Sequence, residues 1–270
     1  MKQTINVVHP DAKIGKNVVV ESFSTVAGDV VIGDGTWIGP NVTIMDGARI
    51  GNNCKIFPGA VISGIPQDLK FRGEKSVALI GDNTTIRECV TVNRGTSAKG
   101  ETVIGSNSML MAYVHVAHDC KVGNNCILVN SVGLAGEVEV GDFAIIGGMT
   151  AVHQFCRIGS HAMVGGASKV RKDVPPYIRA SREPLQYVGV NAIGLRRRNF
   201  TNETIYMVQD ILRVLYQKGL NTTQALDKMA GDFPASEELD TIIDFVKKST
   251  RGIIKGYDPE NGHKDEDDFM

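Results

Sequence analysis

From Val8 to Val170 an aliphatic residue returns at every sixth position with almost no drift in phase. The series runs Val8, Ile14, Val20, Val26, Ile32 and on to Ile62, resumes at Ile80, Ile86 and Val92, then continues from Ile104 to Val170. The span holds (170 − 8)/6 + 1 = 28 slots, and only Asp68, Glu74 and Ala98 are not Val, Ile or Leu. The residue two places earlier is small or β-branched, as in Ala12, Ser24, Thr36, Ala48 and Cys54. Glycine commonly follows the aliphatic, as in Ile32-Gly33, Ile104-Gly105 and Val140-Gly141. A short strand ended by a glycine free to take a positive φ at a corner describes one side of a prism. Each unit buries its aliphatic only by stacking on its neighbours, so the repeats form one parallel β-helix.

Three hexads make one coil, so residues 18 apart stack in a column wherever no insertion intervenes. Residues 63–79 and 93–103 lose the pattern and read as loops thrown out of the prism, where binding groups tend to sit. The paired prolines of Asp173-Val174-Pro175-Pro176 end the solenoid, because they remove two donors from the ladder. Beyond Arg198 the period becomes helical. Thr201 caps a helix with Ile205, Val208, Ile211, Leu212 and Leu215 on one face, Leu226 and Met229 mark a short second helix, and Ser236 caps a third. The expected organisation is a prism over 1–190, a helical domain over 191–255 and a disordered acidic tail over 256–270.

Net charge is −1, which argues against a nucleic-acid-coating protein. The first 15 residues lack the pattern of a signal peptide, and no run approaches the ~18 apolar residues of a membrane span. The expected location is therefore the cytoplasm, with no stable membrane insertion. Cys54, Cys120, Cys126 and Cys156 occupy the small slot of the hexad and read as interior filler rather than zinc ligands. Lys169 to Arg198 holds eight basic residues against two acidic ones, a local balance of +6 that suits an anionic partner.

The histidines His9, His115, His118, His153 and His161 take no aliphatic slot, and so are not core filler. Between Ile104 and Val170 column arithmetic is uninterrupted: His118 + 18 is Gly136, and Gly136 + 18 is Gln154. An imidazole, a bare backbone about 4.8 Å away and a carboxamide one coil further suit acyl transfer. The imidazole can remove a proton from an attacking hydroxyl. The glycine N–H can meet a developing oxyanion, a contact worth ~3 kcal/mol in comparable sites. Asp119 can support the imidazole. No Gly-x-Ser-x-Gly elbow is present, which favours direct attack by the acceptor.

The segments Gln67-Asp68-Leu69-Lys70, Asn93-Arg94-Gly95-Thr96, His115-Val116-Ala117-His118-Asp119-Cys120, residues 145–156 and Gly189-Val190-Asn191 closely resemble the UDP-N-acetylglucosamine O-acyltransferase family. The resemblance covers nearly the whole chain to Gly256. It implies a mainly β chain, a left-handed parallel β-helix followed by a small C-terminal α-helical domain, and a homotrimer with active sites between subunits. The left hand comes from the resemblance alone, since the general crossover rule would give the opposite. The implied reaction transfers a 3-hydroxyacyl group from acyl carrier protein to the 3-position of UDP-N-acetylglucosamine, without metal or resident cofactor, as the first step of lipid A biosynthesis. Matched to the family's motifs, His118 is the general base, Asp119 its support and Gly136 the oxyanion donor. Asp68, Lys70, His115, His153 and Gln154 match sugar and acyl-phosphopantetheine contacts, and Asn191, Arg197 and Arg198 the nucleotide side. Gly166 matches the position limiting acyl-chain length, and glycine there implies a long chain. Glu137 stands where many members carry histidine, and Ile193 where many carry glutamate, which leaves a 3-amino acceptor open. Rival readings are an acetyl-CoA-dependent sugar acetyltransferase, the related N-acyltransferase, a zinc-dependent carbonic anhydrase-like lyase that would use His115 and His118, and a non-catalytic scaffold.

Overall fold

In a computed structural model, residues 5–217 and 219–256 are described. The expected acidic tail, apart from Gly256, lies outside them. The hexads fold into a three-sided parallel β-helix, the left-handed prism that the resemblance implies, with faces of nine, eight and eleven strands. Most strands are two residues long and end on the slot aliphatic, as in His115–Val116, Lys121–Val122 and Ile127–Leu128. Successive coils pair 18 residues apart, as in His115 with Gly133 and Gly133 with Ala151. The slot aliphatics from Val26 to Val170 point inward and are at most 3% exposed. Val8 and Ile14 are 37% and 39% exposed, because the first coil has a neighbour on one side only.

Glycine works differently from the sequence expectation. The positive-φ corner lies three residues after the aliphatic and is held mainly by non-glycine residues, such as Asn17, Asn41, Tyr113 and Asp119. The glycine directly after the aliphatic answers a steric demand: a Cβ on Gly105 would stand 2.6 Å from the carbonyl carbon of Gly123 in the next coil. Hydroxyls and thiols fill the small slot by donating to carbonyls of the next coil, Thr36 Oγ1 to Gly51 O at 2.8 Å and Cys126 Sγ to Gly141 O at 3.2 Å. Burial pushes the Cys120 and Cys126 thiols up to about 12 and Cys156 to about 11, so all three remain neutral.

The insertions are narrower than the sequence suggested. They leave the prism over 65–76 and 94–100, because Val77–Ile80 and Glu101–Ile104 pair along their full length. Val61 pairs with Thr91 and Thr91 with His115. These offsets, 91 − 61 = 30 and 115 − 91 = 24, exceed a coil of 18 by 12 and 6. Both excesses are whole hexads, so the six-residue phase survives them.

The paired prolines do not end the prism. Val174 bridges to Ile158, and Ile178–Ser181 adds a strand on Met163–Val164, giving a last coil of 174 − 158 = 16 residues. The prolines sit at the corner over Gly159, where no ladder donor is needed. An antiparallel partner, Gln186–Val190, then leads to helices α1 (Ala192–Arg196), α2 (Asn202–Gln217), α3 (Thr222–Asp232) and α4 (Glu237–Lys247). Ser236 Oγ accepts the Leu239 N–H at 3.2 Å and opens α4, and Asn221 opens α3 with a capping box. Buried Asp173 latches this cap to the prism, its carboxylate accepting the Arg157 N–H at 2.8 Å and the Ser249 hydroxyl at 2.7 Å.

Candidate active site

Both insertions and the His118 column leave the same edge of the prism, where the chain turns from the first face to the second. That edge carries the 65–76 loop, then the 94–100 loop, then His118, Gly136 and Gln154 on successive coils. The imidazole of His118 lies flat against Gly136, where an added Cβ would stand 2.6 Å from both Cε1 and Nε2. Only glycine lets the ring take this place. His118 Nδ1–H donates to Asp119 Oδ2 at 2.8 Å, which leaves the Nε2 lone pair toward Gly136.

Asp119 is 1% exposed. Burial alone would raise its pKa, but hydrogen bonds from Thr96 and His118 outweigh that and hold the carboxyl below the usual carboxylate range. Gly136 is buried under the His118 ring, and its amide is not claimed by the described chain. On the next edge of the prism the equivalent amides are claimed by a side chain one coil on, Ser106 N by Asn124 Oδ1 at 2.9 Å and Asn124 N by Asp142 Oδ1 at 2.8 Å. Gln154 makes no such bond, and among the described residues the Gly136 N–H has no acceptor.

Beside this edge His115 lies on the first face, its Nδ1 2.7 Å from Thr91 Oγ1, and burial lowers its pKa. Its neighbour Gly133 faces open space, since an added Cβ would meet nothing within 4 Å. His153 is exposed and Gln154 half-buried one coil beyond Gly136. Asp68 accepts the Lys70 N–H at 2.9 Å, leaving the Lys70 ammonium in solvent.

The remaining sequence candidates lie elsewhere on the same chain. Gly166 is exposed on the edge between the third and first faces, over Gly148. Arg198 and Asn191 flank the edge between the second and third. The Arg198 guanidinium donates to Gly194 O at 3.2 Å and Phe143 O at 3.0 Å, while Arg197 is exposed. Asn191 is 3% exposed, donates from Nδ2 to His161 O at 2.9 Å and accepts the Gly194 N–H at 3.2 Å. Both ends of its side chain are engaged within the chain, where Asn191 caps α1.

His161, grouped with the other histidines by sequence, is packing after all. It stacks between Phe143 at 4.8 Å and Tyr177 at 5.5 Å. Burial, helped by the nearby Arg198, brings its pKa down to about 4. The unfolded chain binds this proton near ~6.5, so between that value and about 4 acid favours unfolding. Stability should fall as pH drops through this window and lose nothing more from this group below it. His161→Phe, which keeps the stack, should flatten the fall, as read from urea midpoints at pH 7 and pH 5.

Sequence reasoning missed Thr96 as part of the site, although it lies in a quoted motif. Its hydroxyl meets Asp119 across 23 residues of chain. Among the described residues no three His, Cys, Asp or Glu side chains are grouped as metal ligands, and no helix is long and apolar enough to cross a membrane. A cleft of about 490 Å³ between the second face and α4 is lined in part by paired charges, Arg157 with Glu139 at 3.4 Å and Lys248 with Asp244 at 3.0 Å.

Comparison with known proteins adds independent findings. Residues 173–254 match the family described as Udp N-acetylglucosamine O-acyltransferase, Domain 2, and residues 29–64 and 101–136 match Bacterial transferase hexapeptide (six repeats). The acyl-[acyl-carrier-protein]–UDP-N-acetylglucosamine O-acyltransferase of Sulfurihydrogenibium sp. (strain YO3AOP1) is 58% identical over 248 residues, 92% of each chain. A UDP-N-acetylglucosamine acyltransferase structure from Bacteroides fragilis aligns with TM-score 0.92 and 52% identity, covering 94% of this chain and 100% of that one. The corresponding structure from Francisella novicida aligns with TM-score 0.93 and 39% identity over 96% and 95% of the two chains.

Proposed function

This chain belongs to the UDP-N-acetylglucosamine O-acyltransferase family, and we propose that it transfers a long-chain 3-hydroxyacyl group from acyl carrier protein to the 3-hydroxyl of UDP-N-acetylglucosamine, the first step of lipid A biosynthesis. The observation that carries this reading is the His118 ring, tied by Nδ1 to a buried carboxylate and resting on a glycine whose amide is unclaimed. Nε2 takes the proton of the sugar 3-hydroxyl as its oxygen attacks the thioester carbonyl. The carbonyl oxygen gains negative charge, and the Gly136 N–H stabilises it. When the C–S bond breaks, the imidazolium returns the proton to the leaving thiolate of the phosphopantetheine arm. Asp119 stays ionised throughout and stabilises the transient imidazolium.

Asp68 and Lys70 are assigned to the sugar, with His115, His153 and Gln154 lining the sugar and acyl-thioester path. Arg197 is the cation for the diphosphate, and Arg198 fixes the helix that carries it. Gly166 gives room for a long acyl chain. These groups occupy three different edges of one prism, so a site that uses them all needs a neighbouring subunit, which supports a homotrimer. The basic segment from Lys169 to Arg198 suits an acidic carrier protein, and the site of action is the cytoplasm.

The test is incubation with UDP-N-acetylglucosamine, or its 3-amino analogue, and a series of 3-hydroxyacyl carrier proteins. Acyl transfer to the 3-hydroxyl sugar, strongest with long chains, is the expected result. Transfer from acetyl-CoA alone would overturn the proposal.

A further inference from the structure

The 94–100 loop folds back beneath the Asp119 carboxylate and surrounds it with donors. Thr96 supplies two, its N–H to Oδ1 at 2.9 Å and its hydroxyl to Oδ2 at 2.6 Å. The Lys99 N–H adds a third, to Oδ1 at 3.2 Å, and Thr102 Oγ1 accepts the N–H of Asp119 itself at 2.8 Å. The oxygen that takes the Thr96 hydroxyl is also the one that takes His118 Nδ1–H. Thr96 is 6% exposed and Asp119 1%, so bulk water cannot readily replace the hydroxyl. The loop is in turn sewn to the one before it, since the Glu74 carboxylate accepts the Ser97 N–H at 3.0 Å and the Arg72 N–H at 2.8 Å.

We propose that Thr96 is a positioning residue for acyl transfer, the outer member of a Thr96–Asp119–His118 relay that aims the imidazole at Gly136. The proposal rests on the functional reading above. A carboxylate held at both oxygens by a rigid loop presents one fixed direction to Nδ1, and the ring keeps its Nε2 where the attacking hydroxyl must come. Donors to an ionised acceptor are the strong ones and fix geometry as well as charge. His118 is the titratable group facing the carboxylate; the Lys99 ammonium is turned away to Glu139 at 3.5 Å. Glu74 makes the link to the loop of Asp68 and Lys70, so the groups assigned to the sugar and the base share one framework.

The decisive experiment compares Thr96→Val and Thr96→Ser with the parent protein in three measurements: kcat and KM for acyl transfer, the carboxyl titration of Asp119 by carbon NMR, and thermal unfolding. Thr96→Val should lower kcat roughly tenfold while KM for the nucleotide sugar stays within about twofold. Its Asp119 midpoint should rise, since a hydrogen bond favouring the charged form has been removed. Thr96→Ser, which keeps the hydroxyl, should restore both. An unmoved carboxyl titration in a folded Thr96→Val protein overturns the relay, as does a Thr96→Ser protein as impaired as the valine variant. The titration needs no substrate, so the relay is decided independently of the acyl-transfer reading, which fails on its own if the parent protein transfers no acyl group.

Discussion

His118→Ala should lower kcat for acyl transfer by about a hundredfold or more, with a much smaller change in KM. That loss corresponds to about 3 kcal/mol of transition-state stabilisation. It arises because among the described residues no other imidazole is placed to take over. His115 has its Nδ1 on Thr91 and lies on the first face, and the other edge histidine, His153, stands one coil past Gly136 with its Nδ1 3.1 Å from Gln154 O. The variant also leaves Asp119 without its partner while Thr96 and Lys99 still hold the carboxylate, so folding should survive and a thermal melt should confirm it. Turnover near that of the parent protein would remove His118 from the role of base.

Gly136→Ala should be comparably damaging by a different route. The new methyl would lie 2.6 Å from His118 Nε2 and Cε1, well inside contact distance. The backbone of Gly136 is held by its ladder, with its carbonyl accepting the Phe155 N–H at 3.2 Å, so the ring must yield. Its displacement either breaks the 2.8 Å bond to Asp119 or turns Nε2 away from the acceptor. A misplacement on the order of 1 Å can cost about a hundredfold in rate. Because the moving group is a side chain outside the aliphatic core and the ladder itself is kept, the melting temperature should change little, and the pairing of lost kcat with retained stability is the result to look for. A variant with full activity would show that the base does not work from this position.

The fold was legible because one number, six, is repeated with so few errors that inward residues, corners and columns follow from counting. His118, Gly136 and Gln154 share an edge for the same reason, and so does the displacement of Gly166: 166 − 118 = 48 is two coils of 18 and two further sides, which carries it to another edge. What counting could not reveal was which constraint a slot answers. The glycine after each aliphatic was read as a backbone-conformation residue, yet the demand on Gly105 is the closeness of Gly123, and periodicity marks both alike. Nor could it reveal the partners of Asp119. Thr96 lies in an insertion with no register, and nothing in the chain between them announces that its hydroxyl returns to that carboxylate. Asn191 shows the converse. The motif that marks it as functional also marks the start of α1, where its side chain bonds to Gly194 and His161, and periodicity announces neither bond.

Because His118, Gly136 and Gln154 come from successive turns of the same winding, their separations along the axis are digital. Adding or removing one turn moves Gly136 or Gln154 relative to the imidazole by a full strand spacing, about 4.8 Å, and never by a fraction of it. Fine adjustment must then come from the two insertions, whose length is unconstrained by the ladder. A lineage of such enzymes would be expected to keep its axial ruler unchanged and to diversify acceptor and chain preference through loop sequence and single side-chain size.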